Sequence, residues 1–104
     1  MKEIVFAKNQ TVCRGNEFGD LYQVETRNHV VSIISQPTPL KSLELYDVAV
    51  LTADRKTILP VPHGCKRLIG EGMARIGDGG DTLRWLTEDQ VRECIEVVRK
   101  EEIS

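Results

Sequence analysis

A chain of 104 residues has room for one hydrophobic core of ordinary size and not for two, so a single domain over residues 1–104 is expected. Apolar residues at 40% and charged residues at 29% exclude a disordered chain, while the sparse aromatics Phe6, Phe18, Tyr22, Tyr46 and Trp85 argue against a base-stacking platform. The net charge is −2 and the 14 Lys and Arg are scattered, which predicts no nucleic-acid partner, because that affinity comes from cations massed against phosphates.

The apolar run at residues 4–7 is too short for a signal peptide or a membrane span, so no membrane and a cytoplasmic location are expected. Cys13, Cys65 and Cys94 are odd in number and widely spaced, which suits free thiols in a reducing compartment. Residues 3–7 are strand formers. After the polar Lys8, Asn9 and Gln10, strand character resumes at 11–13, predicting an opening hairpin. Gly and Asn make residues 14–20 an exposed loop. Over 21–27, Tyr22, Val24 and Thr26 alternate with Gln23, Glu25 and Arg27, the pattern of a half-buried strand. Asn28 and His29 reverse the chain into 30–35, apolar on both faces and therefore central. Pro37 and Pro39 then carry it out of the sheet as a stiff connector.

A strand from about Tyr46, a polar reversal at 53–56 and a returning strand at 57–61, stopped by Pro60 and Pro62, make a second hairpin. Residues 66–76 read as a further strand, with Leu68, Gly70, Gly72, Ala74 and Ile76 on one face and Ile69, Glu71, Met73 and Arg75 on the other. A Gly-Asp turn at 77–81 leads into a short strand at 82–86. Thr87 and Gln90 have capping-box spacing, Leu86 and Val91 form a hydrophobic staple, and Val91, Cys94, Ile95 and Val98 make one apolar stripe. Glu88 and Asp89 at the start and Arg99 and Lys100 near the end complement the helix dipole. The expected fold is α+β: a mostly antiparallel sheet of about five to seven strands, strongly twisted or barrel-like, with one C-terminal amphipathic helix packed on it.

Candidate chemistry is sparse, and no nucleotide, metal, hydrolase or DNA-binding signature is intact. Cys65 and His63 lie two residues apart between Pro60, Pro62 and Gly64, with Lys66 and Arg67 following, the ingredients of an activated thiol. An ordinary loop with an inert thiol is the simpler reading. Residues at i and i+2 of an extended segment point apart, so the two meet only if the chain turns at Gly64. A metal site would have to recruit His63, Cys65 and a distant Cys13, Cys94 or His29, and the paired short spacings of zinc sites are missing, so no metal and no cofactor are expected. Gly70 and Gly72 would weaken a strand, which points to close approach of the helix, a ligand or another subunit. Glu71, on the opposite face with Arg75, would be solvated and paired. Asp47 shares a strand face with Leu45, Ala49 and Leu51, so burial would make it a site candidate, while an edge position would leave it solvated.

These features favour a non-catalytic module that binds a small molecule or a protein partner and self-associates as a homodimer. A small enzyme using Cys65 with His63 is the alternative, and an acidic antitoxin or inhibitor-like protein comes third.

Overall fold

The computed structural model describes residues 4–13, 19–36, 44–77 and 79–103, which form an α+β fold. The expected exposed loop at 14–18, the proline connector at 37–39 and Asp78 of the glycine turn lie outside the described residues. The strands are β1 (Gln10–Cys13), β2 (Leu21–Glu25), β3 (His29–Gln36), β4 (Leu45–Thr52), β5 (Ile58–Leu59), β6 (Arg75–Ile76) and β7 (Thr82–Leu86), followed by helix α1 (Glu88–Ile103). All pair antiparallel in the order β1-β2-β3-β4-β7-β6, and β5 also pairs with β4. The end strands β1 and β6 do not meet, so the sheet is open rather than a closed barrel.

Period-two alternation explains the layering. Tyr22 and Val24 of β2, Val31 and Ile33 of β3, and Val48 and Val50 of β4 are cross-strand neighbours on one face, and all are buried. Helix α1 covers that face with Val91, Cys94, Ile95 and Val98. Its start is the expected capping box: the Thr87 amide donates to Gln90 Oε1 at 2.9 Å, and the Gln90 amide to Thr87 Oγ1 at 3.3 Å. Leu86 and Val91, the staple pair, are both fully buried. Because a lone helix is marginal in water, this docking supplies most of its stability, about 1.5–3 kcal/mol per fully buried Val or Ile.

The structure corrects the sequence reading at three places. Residues 4–7 are not a strand. The Phe6 amide donates to Gln10 Oε1 at 2.8 Å, Gln10 Nε2 donates to the Ile4 carbonyl at 2.8 Å, and Arg92 Nη2 to the Val5 carbonyl at 2.9 Å. Side chains thus satisfy the backbone that a ladder would have served, and Phe6 seals the core, edge-on to Tyr22 and Tyr46 at 5.5 and 5.3 Å. The opening hairpin forms instead between β1 and β2. The second correction is the long strand at 66–76. His63–Leu68 is a 3₁₀ helix whose buried Cys65 and Leu68, three apart, share its inner face. Turns follow, and only Arg75–Ile76 is strand. Third, β4 is internal, flanked by β3 on one side and by β7 and β5 end to end on the other, so Asp47 does not lie on an edge.

Candidate functional site

Within the 3₁₀ helix successive side chains are about 120° apart, so His63 and Cys65 diverge. Cys65 is 1% exposed, whereas His63 is exposed at the surface. The Cys65 thiol is hydrogen bonded to that of Cys94, which is also buried. That bond, together with burial, pushes Cys94 up, while it draws Cys65 down against the cost of burial. Arg67, near Cys65, is engaged with Glu93. Among the described residues no three His, Cys, Asp or Glu side chains converge as a metal site would require. Iodoacetamide is expected to alkylate the exposed Cys13 in the native protein and to reach Cys65 and Cys94 only after denaturation. Mass mapping of the labelled peptides checks this, and labelling of Cys65 ahead of Cys13 would revive the enzyme alternative.

Gly70 and Gly72 adopt φ of +90° and +59° in the turns before β6, and a Cβ at either would meet nothing within 4 Å. Their role is backbone conformation, with no neighbour pressed against them. Glu71 lies in the same turn, where its carbonyl accepts from Gln90 Nε2 at 3.1 Å and ties the turn to the start of α1. Close approach occurs instead at Gly77, where a Cβ would come within 2.3 Å of Thr82 Oγ1 and 3.2 Å of Arg84 Cδ. That missing side chain lets Arg84 lie across the face of the sheet opposite α1.

Asp47 is the sequence-nominated residue that the structure builds into an arrangement with chemistry. Tyr46 pairs with Leu86 and Val48 with Leu83, so Arg84 and Trp85 together oppose Asp47 in a β-bulge. Leu83 and Leu86 both enter the core, and Arg84 and Trp85 both turn outward. Trp85 pays for this with φ of 62°, a left-handed conformation that costs a bulky side chain about 1–2 kcal/mol. The Asp47 carboxylate spans the bulge: Oδ1 accepts the Trp85 amide at 3.3 Å, and Oδ2 lies 3.6 Å from Arg84 Nε. A shallow cavity of about 300 Å³ beside it is lined by Ser32, Ile34, Asp47, Val48, Ala49, Thr82 and Arg84. A smaller one of about 100 Å³ lies among Arg75, Ile76, Arg84 and Trp85.

Sequence reasoning missed Arg84 and Trp85, yet a signal was present. Leu83 and Leu86 are three residues apart, and a regular strand puts residues on one face only at even spacing.

A second polar cluster lies across the molecule, beside a cavity of about 310 Å³ walled by Val50, Leu59, Pro60, Pro62 and Val98. Here Glu102, in the last turn of α1, accepts from Thr26 Oγ1 at 2.7 Å, the Arg27 amide at 3.1 Å and the Asn28 amide at 2.6 Å, and lies 2.7 Å from His29 Nδ1. Burial opposes its ionisation. The hydrogen bonds from Thr26, Asn28, His29 and Arg27 outweigh that cost and hold its pKa below the ordinary glutamate range. Thr26, Arg27 and Asn28 form the β2–β3 turn and His29 begins β3, so the cluster fastens helix to hairpin. No protein family, no curated protein and no solved structure matches this chain.

Proposed function

We propose that this protein is a non-catalytic binding module that engages its partner through the sheet face around Trp85, opposite α1. The observation that carries the reading is the left-handed Trp85, a strained aromatic residue turned outward by the bulge at Asp47 and 37% exposed. Strain of this kind persists only where surrounding structure enforces it, and an outward tryptophan with arginine beside it is the composition of binding hot spots. Self-association is a second reading, favoured by the exposure of Ile34 on this face.

Trp85→Gly separates structure from binding. Glycine relieves the strained φ but enlarges the entropy of the unfolded chain, so the melting midpoint is expected to stay within about 5 °C of wild type. Amide chemical shifts in a fragment or peptide screen are expected to move at Ser32, Asp47, Thr82, Arg84 and Trp85, and to stop moving in the variant. Shifts centred on His63 and Cys65 would sink the reading. Sedimentation of wild type beside Trp85→Gly tests the homodimer, since a dimer unaffected by the substitution does not use this face.

A further inference from the structure

We infer that the β6 edge beside Trp85 takes an extended acidic peptide, with Arg75 and Arg84 holding one of its carboxylates. The inference rests on the reading of the Trp85 face as the binding surface and names the chemistry of the partner. Arg75 and Arg84 are Cα partners across β6 and β7, so their side chains leave the same face of the sheet. Like charges directly opposite are unfavourable in a sheet unless an anion lies between them. At the other end of this face Arg55 is neutralised, with Nη2 2.7 Å from Glu25 Oε1. Arg75 has no ion pair among the described residues, and Arg84 Nε lies 3.6 Å from Asp47 Oδ2. The Arg75 guanidinium, with Arg84 beside it across the strand pair, is therefore placed to receive a carboxylate, the geometry for which a planar guanidinium is suited.

The backbone adds the second component. The Gly77 amide donates to the Thr82 carbonyl at 2.8 Å, so by antiparallel alternation Ile76 turns its N–H and C=O away from β7. Among the described residues strand β6 ends the sheet, and those two groups face away from it. An added peptide strand would bond to them and lay an acidic side chain beside the arginines, and the residue two positions along, on the same face, would rest on Trp85. The cavity of about 100 Å³ among Arg75, Ile76, Arg84 and Trp85 has the volume of one side chain and is smaller than the pockets that hold nucleotide-sized ligands. Two arginines are also too few to follow a phosphate backbone.

Trp85 is the single tryptophan of the chain, so its fluorescence reports on this site alone. The protein is titrated with the blocked hexapeptide Val-Thr-Glu-Thr-Val-Thr, which sets glutamate and valine on one face, with the same peptide carrying glutamine for glutamate, with inorganic phosphate and with an oligothymidylate. The acidic peptide is expected to give a saturable change that weakens with salt. The glutamine peptide, and the acidic peptide against Arg75→Gln, are each expected to bind about tenfold more weakly, the effect of one charge-assisted hydrogen bond. Far-UV circular dichroism and the melting midpoint confirm that Arg75→Gln is folded. Slowed hydrogen exchange of the Ile76 amide on peptide binding is expected, because strand addition covers it. Equal binding of the glutamine peptide at Trp85 overturns the acidic partner and leaves the Trp85 face standing. No response to either peptide up to millimolar concentration, or an equal response to phosphate or oligothymidylate, overturns the peptide site. Peptide-induced shifts mapped away from Trp85 overturn the reading beneath it as well.

Discussion

Gly19→Ala is expected to lower the unfolding midpoint by more than about 10 °C, the equivalent of roughly 2–4 kcal/mol in a domain of this size. Gly19 has φ of +100°, and a Cβ there would sit 2.0 Å from the Ser35 carbonyl oxygen and 2.9 Å from Ser35 Oγ. The obstacle is backbone and cannot rotate away. It is also bonded in place, since the Asp20 amide donates to Ser35 Oγ at 2.8 Å and the Ser35 amide to the Asp20 carbonyl at 3.0 Å. A methyl group must break that end of the β2–β3 pairing. Gly70→Ala is the matched control: φ is +90° there too, but the space is open, so only the backbone cost of about 1 kcal/mol applies. Thermal melts of both variants decide it, and equal losses would show that contact with Ser35 contributes nothing.

Removing the charge of Glu102 is expected to cost about 2 kcal/mol near neutral pH, because Glu102→Gln leaves amide and hydroxyl donors of the β2–β3 turn facing a neutral side chain. An anion in the last turn of a helix is misplaced with respect to the dipole, so its presence there depends on those four partners. The sign of the pH dependence follows from the depressed pKa. The contribution is complete above the ordinary glutamate range and is lost as pH falls through the lower folded-state value. Wild type and Glu102→Gln should therefore differ most near neutrality and converge in acid. Urea melts across that range measure the difference, and a gap that persists undiminished at pH 2 would assign the loss to packing instead of charge.

Legibility varied along the chain for identifiable reasons. Thr87, Gln90, Leu86 and Val91 interact within one turn of helix, so their spacing alone located the start of α1. The alternation of Tyr22 and Val24, of Val31 and Ile33, and of Val48 and Val50 is likewise a local property, and those strands formed as read. Residues 66–76 misled because alternation is a weak signal where glycine fills two of the five places on the apolar face. The three-residue spacing of Cys65 and Leu68 was equally available, and Pro62 before it favours a helical turn. Asp47 could be nominated from strand parity. Its value could not, because the residues that give it meaning, Arg84 and Trp85, are about forty positions away.

The amino-acid order alone determined an α+β chain with a mostly antiparallel sheet and one amphipathic C-terminal helix, since periodicity, turn residues and caps act over a few residues through sterics and short hydrogen bonds. Only the tertiary structure decided that the sheet stays open, that β7 lies between β4 and β6, that the bulge exposes Trp85, and that Glu102 reaches a turn 73 to 76 residues away. Those outcomes depend on which faces are buried against which, a competition among distant surfaces that no short stretch of sequence contains.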